Sequence, residues 1–292
     1  MFKAGFVNII GKPNVGKSSL LNDIMGEKLC IISPKAQTTR HRIKAFYTTN
    51  EVQIIFSDTP GLLDPKYKLQ ECMMETINEA IEDADILFYL STIEEKPNQH
   101  TIPKLLSKVK VPLIIGINKI DLAKSQNDVE DLIKQWQKEF ANAHIIAFSA
   151  LHHFNTQKVV ETIIDLLPEH EAYFDSESLS DRNLRFFVSE LIREKIFLQY
   201  HQEIPYSCEV IIESFIEEDT HTKIYATIYV ARESQKAILI GQQGKAIKQL
   251  GIEARLAIED FLDTRVYLDL SIKVIKNWRN DPKTLKRMGY IK

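Results

Sequence analysis

FVNIIGKPNVGKSSL, residues 6–20, joins a run of strand-forming residues to a helical pattern through Gly11–Ser18, a full match to G-x-x-x-x-G-K-[ST]. In such a loop, Gly11 and Gly16 let backbone N–H groups wrap phosphate oxygens, and the following helix adds the positive end of its dipole. Lys12, Pro13, Asn14 and Val15 form the body of the loop, Lys17 is expected to reach the β- and γ-phosphates, Ser18 to hold Mg²⁺, and Ser19 to join these GTP-binding residues. A strand–loop–helix start of this kind predicts an α/β domain with a mostly parallel sheet.

Downstream, FVNII is followed by QIIFS, DILFYL, LIIGI and HIIAF, alternating with helical patterns in KLQECMMETINEAIEDA, VEDLIKQWQKEF and TQKVVETIIDLL. Pro168 stops the last of these, so residues 1–170 are predicted as one nucleotide-binding domain. The acidic, weakly periodic 171–184 reads as an exposed linker. Residues 185–292 then run helix, two strands, two helices around a Gly loop, and strand, which predicts a smaller α+β domain with a basic tail.

A phosphate loop does not choose a base. NKID, at Asn118–Asp121 after LIIGI, does: the Asp121 carboxylate can accept two hydrogen bonds from guanine, which adenine has no matching donors to answer. Asn118 and Lys119 complete that loop, and SAL, at Ser149–Leu151, fits a loop whose Ala150 N–H donates to guanine O6. DTPG (Asp58, Thr59, Pro60, Gly61) ends the strand QIIFS, where Asp58 can order Mg²⁺ through water and the Gly61 N–H can sense a γ-phosphate. The four elements in this order imply GTP and GDP as ligands.

Composition narrows the remaining classes. With 292 residues, 44% hydrophobic, 26% charged and a net charge of −3, the chain has the balance of a globular protein, and its apolar runs fall short of the ~20 residues that cross a bilayer. No secretory leader is legible at the N-terminus and Cys30, Cys72 and Cys208 are scattered, so a cytoplasmic protein with cysteines in packing roles is expected. Met73, Met74 and Trp136 read as helix packing residues, and the histidines show no metal spacing.

GQQG, at Gly241–Gly244 between two helices, fits the G-x-x-G loop of a KH module, which clamps about four nucleotides of single strand. Gln242, Gln243 and Lys245, with Lys248 a turn later, would face phosphates and sugars, while Ile240 and Ile247 would floor the groove. In the tail, Lys273, Lys276 and Arg279 surround Trp278, a basic and aromatic mixture suited to single-stranded RNA.

Together GKPNVGKS, SPKAQTTRHRI (33–43), DTPG, NKID, SAL, ELIREKIF, EIPY and the Gly loop resemble the Era family within the TrmE–Era-like GTPases, over nearly the whole chain. The resemblance implies a P-loop GTPase domain followed by a type II KH domain. It makes Gln37, Thr38, Thr39, Arg40 and His41 the first switch, with Thr38 or, by preference, Thr39 closing on Mg²⁺. It implies a partner in the 3′ end of small-subunit (16S) ribosomal RNA during 30S maturation, a monomer, and a peripheral contact with the inner face of the membrane. Asn14 matches an asparagine that ligates K⁺ in related GTPases, and Leu62 stands where Ras-like enzymes carry a water-orienting glutamine. A TrmE-like RNA-modifying subunit would require helical domains and a terminal cysteine motif that the chain does not show. A non-hydrolysing GTP sensor is disfavoured by Lys17, Ser18, Asp58 and Asp121.

Overall fold

The structure is a computed structural model that describes residues 1–97, 105–106 and 109–291. Its contacts divide into two compact units: Met1–Cys30, Thr39–Asp64 and Met73–Asp181 form the first, and Ile31–Thr38, Pro65–Cys72 and Arg182–Lys292 the second.

The first unit is built on a six-stranded sheet in the order β2-β3-β1-β4-β5-β6. These strands are β1 (Lys3–Gly11), β2 (Ile43–Thr48), β3 (Val52–Asp58), β4 (Ile86–Thr92), β5 (Leu113–Asn118) and β6 (His144–Ala147). All pairings are parallel except β2 with β3. Every residue of β3 is buried, as expected of a strand covered on both faces. Helices α1 (Lys17–Met25), α2 (Lys68–Glu82, in this unit from Met73 onward), α3 (Gln126–Glu139) and α4 (Thr156–Leu166) follow β1, β3, β5 and β6 respectively. Trp136 and Met73 are buried and Met74 packs on the core, so their packing roles hold; Cys30, Cys72 and Cys208 are buried as well.

Two features differ from the sequence reading. The edge strand β2 was hidden because its residues IKAFYT continue a polar stretch without a turn signal. The acidic segment is exposed along most of its length yet pinned to the sheet: Phe174 stacks on Phe46 at 4.0 Å, and the buried Gln53 amide accepts from the Tyr173 and Phe174 N–H groups and donates to the Phe174 carbonyl. Ser180 bridges to Ala45, and the Phe46 N–H donates to the Leu179 carbonyl, so this segment covers the open edge of β2.

The second unit holds α5 (Leu184–Gln199), capped by Asn183 whose side chain accepts from the Phe186 N–H. A single helical turn at Ile204–Ser207 leads to β7 (Glu209–Glu217) and β8 (Thr222–Val230), antiparallel to each other. Then come α6 (Glu233–Ile240), α7 (Lys245–Leu262) and β9 (Val266–Val274), the last parallel to β8. Ile192, Ile196, Ile228, Leu250 and Ile258 lie at the centre of its core.

Candidate functional site

The phosphate loop leaves β1 at Gly11, beside β4, where the strand order reverses and ligands of open α/β sheets sit at the carboxyl ends. Gly16 has φ 98°, and a Cβ there would lie 2.3 Å from the Asn118 amide nitrogen, so only glycine fits. That amide donates to the Val15 carbonyl at 2.8 Å, tying the base loop to the phosphate loop. Lys17 is buried; its Nζ donates to the carbonyls of Gly11 and Lys12 at 3.3 and 3.1 Å. Burial pulls its ammonium down to about 8, against the nearby Asp58 charge that favours protonation. A phosphate would supply the anionic partner that the two carbonyls only approximate.

Ser18, Thr39 and Asp58 converge one residue further on. The Ser18 and Thr39 hydroxyls donate to Asp58 Oδ2 at 2.7 and 3.1 Å and lie 3.0 Å apart. Asp58 Oδ1 is buried with no hydrogen-bond partner among the described residues, and burial raises the carboxyl against the charge of Lys17 and hydrogen bonds from Ser18, Thr39 and Cys30. Hydroxyl and carboxylate oxygens with one orphaned acceptor suit a hard divalent cation such as Mg²⁺. The Thr59 hydroxyl donates to the Ile9 carbonyl, and after Pro60 and Gly61 the Leu62 N–H donates to the Gly11 carbonyl. Leu62 itself is half-buried against the core, a packing role.

Thr38 and Thr39 separate clearly. The Thr38 hydroxyl donates to the Lys35 carbonyl and its own carbonyl accepts from Arg193, whereas Thr39 alone faces Ser18 and Asp58. Within the second unit, Arg193 is buried and forked onto Glu190 at 2.7 and 2.6 Å, the Ile32 N–H donates to Glu194, and Lys35 donates to the carbonyls of Phe197 and Tyr200. Gln37, at φ 61°, accepts from the Tyr67 hydroxyl; Arg40 is buried and His41 half-buried. None of these anchors on α5 and at its end was legible from a motif, because their partners at Ile32, Lys35 and Thr38 lie 155 to 165 residues away.

Hydrogen bonds knit the base loop together. Ser149 donates to Asp121 at 2.5 Å, and the Ala150 N–H donates to the Asn118 side-chain oxygen at 3.0 Å. Lys119 sits at φ 62°, and Leu151 is exposed. His152 lies 3.9 Å from Asp121, and His153 contacts Asp23.

In the second unit Gly241, Gln242, Gln243 and Gly244 form a short 3₁₀ turn between α6 and α7, with Gln242, Gln243, Lys245 and Lys248 exposed. Ile240 and Ile247 are half-buried. Lys273 and Lys276 are exposed. Trp278 corrects the sequence reading: it is fully buried and its indole N–H donates to the Ser207 carbonyl at 3.0 Å, so it is a core residue and cannot stack on a base. Arg279 lies over the Tyr67 ring at 4.6 Å. The tail is not loose: Asp281 caps α8 (Pro282–Arg287) by accepting from the Thr284 N–H.

Comparison with known proteins agrees with both halves. Residues 6–119 match the family model described as 50S ribosome-binding GTPase, and residues 203–279 match a KH domain. GTPase Era of Geotalea daltonii is 40% identical over 99% of this chain and 98% of its own length; that of Staphylococcus haemolyticus is 41% identical over 99% and 97%. A crystal structure of Era with MgGDPNP and nucleotides 1506–1542 of 16S ribosomal RNA superposes with a TM-score of 0.95, at 36% identity and full coverage of both chains. A variant of Aquifex aeolicus Era bound to GDP and AlF₄⁻ gives the same TM-score, identity and coverage. With a phosphate loop, a guanine loop and a G-x-x-G module in one chain at this identity, the protein belongs to the GTPase Era family.

Proposed function

We propose that this GTPase binds small-subunit ribosomal RNA near its 3′ end and uses GTP hydrolysis to time a step of 30S maturation. The observation that carries the reading is the convergence of Lys17, Ser18, Thr39 and Asp58 at the end of β1 and β3, in a chain that also holds an exposed G-x-x-G turn. Ser18 and Thr39 would ligate Mg²⁺, with Asp58 holding it through water. The ion would neutralise charge on the β- and γ-phosphates. Lys17 would bind the same oxygens, and Asp121 and Ala150 would select guanine. The loop at Gly241–Gly244 would approach the RNA backbone, with Lys245, Lys248, Lys273 and Lys276 adding charge.

Because Leu62 has no polar group to orient water, the reading includes K⁺ as an activating charge beside the phosphates, held by Asn14, whose φ of 63° already fixes it in the loop. It also takes the protein to be a cytoplasmic monomer with a peripheral membrane contact, which sizing and cell fractionation test. Among the described residues no helix is long and apolar enough to cross a membrane. The central experiment is GTP turnover with and without an RNA covering the 3′ end of 16S ribosomal RNA. Turnover unaffected by that RNA, together with no binding to it, would overturn the proposal.

A further inference from the structure

Glu95 lies in the turn that follows β4, where its N–H donates to the Thr92 carbonyl. Its side chain is 5% exposed and carries no role in the site described above. Oε1 accepts from the Tyr89 hydroxyl at 3.1 Å and pairs with the Lys12 ammonium at 2.6 Å, while Oε2 is buried with no hydrogen-bond partner among the described residues. Tyr89 is fully buried, and its phenol is pushed up by burial and then by the Glu95 charge, so it remains a donor. A carboxylate taken out of water with one oxygen unmatched costs stability, which asks for a reason beyond packing.

The reason lies in what Lys12 does with its backbone. The Lys12 carbonyl, with that of Gly11, holds the Lys17 ammonium at 3.1 and 3.3 Å. Leu90 of β4 pairs with Gly11 of β1, so Glu95 and the phosphate loop rise from adjacent strands. The Lys12 side chain is 40% exposed and would otherwise wander in water. Glu95 holds its far end.

We propose that Glu95 is a positioning residue for the phosphate-binding lysine: through Lys12, and braced by Tyr89, it fixes the carbonyls that hold Lys17 where the β- and γ-phosphates arrive. The proposal rests on the guanine-nucleotide reading of Gly11–Ser18. Glu95→Gln keeps shape and the contact with Tyr89 but drops the charge that holds Lys12, whose 40% exposed side chain can then be hydrated.

The test is a double-mutant cycle on the full chain, read by competition against a fluorescent GDP. Glu95→Gln should raise the Kd of a non-hydrolysable GTP analogue about tenfold, while that of GMP, which lacks the phosphates Lys17 reaches, stays within about twofold. Lys12→Met should give a similar loss, and the double variant no more than either single one. Lys12→Arg should recover most of what Lys12→Met loses. Additive losses, an unchanged Kd for Glu95→Gln, or equal weakening of GMP would overturn the proposal. If Glu95→Gln does not fold, Lys12→Met against Lys12→Arg decides, and equal behaviour of the two refutes it. Lys17→Ala reports separately on the underlying reading: if it binds GTP normally, the nucleotide site itself is misassigned.

Discussion

The two glycines of the G-x-x-G turn make different demands, and replacing each by alanine should separate fold from RNA contact. Gly241 has φ 70° and ψ 178°, a region essentially reserved for glycine, and a Cβ there would stand 2.5 Å from the Ala246 Cβ. The backbone term is about 1–3 kcal/mol. Relieving the clash adds about 1–3 kcal/mol more. Gly244 has φ 74° and ψ 10°, near the left-handed helical region, and a Cβ there would meet nothing within 4 Å. Its alanine variant should lose only about 1–2 kcal/mol. A thermal melt of the full chain followed by circular dichroism should therefore show Gly241→Ala falling well below Gly244→Ala, by about 4 °C for each kcal/mol of difference. RNA binding should follow a different order. The open space beside Gly244 is where a phosphate backbone can approach, so Gly244→Ala should weaken RNA about tenfold or more at temperatures where it is folded, with GTP affinity unchanged. Equal melting of the two variants, or full RNA affinity in Gly244→Ala, would refute the reasoning.

Asp121→Asn, which reverses the donor and acceptor pattern offered to the base, should shift preference from GTP toward xanthosine triphosphate in a competition assay; an unchanged preference would sink the base assignment. Thr39→Ala should lower GTP turnover by about tenfold or more and raise the Mg²⁺ required, whereas Thr38→Ser, which keeps both the hydroxyl donated to Lys35 and the carbonyl held by Arg193, should change turnover little; the reverse order would move the metal ligand to Thr38. Changing Gln242 and Gln243 to Asp should repel phosphates and weaken RNA while sparing GTP, and loss of both ligands would place the site elsewhere. Turnover should be faster in KCl than in NaCl at constant ionic strength, and Asn14→Ala should erase the difference while Leu62→Ala leaves it; equal rates for the unmodified protein would remove the cation from the mechanism.

The nucleotide motifs were legible because phosphate and guanine recognition are local: Gly16, Lys17 and Ser18 are neighbours, and Asn118 to Asp121 is one loop. What the motifs could not carry was pairing across distance. Nothing near Thr38 distinguishes it from Thr39; the distinction comes from Arg193 on one residue and Asp58 on the other. Glu95 followed by lysine and proline reads as a surface turn, and only the fold brings it to Lys12. Trp278 misled because a tryptophan among basic residues has the composition of a stacking platform. Its indole N–H instead found the Ser207 carbonyl inside the core. The edge strand Ile43–Thr48 alternates too briefly after a polar stretch to announce itself, and its pairing with Val52–Asp58 supplies what the pattern lacks.

The acidic segment laid along that edge strand also determines where the nucleotide-binding half can be cut. A fragment ending at Pro168, where the helical pattern stops, would expose the Phe46 N–H and the Lys44 carbonyl, remove the ring from Phe46, and leave the Gln53 side-chain oxygen without its two N–H donors. A bare, twisted strand with an aromatic face is a template on which another copy can add. A fragment extended to Asp181 keeps the edge closed by its own chain. The dozen or so residues between those two cuts therefore serve as a built-in guard against sheet extension from molecule to molecule, and their acidic character adds charge repulsion at the place where an approaching strand would dock.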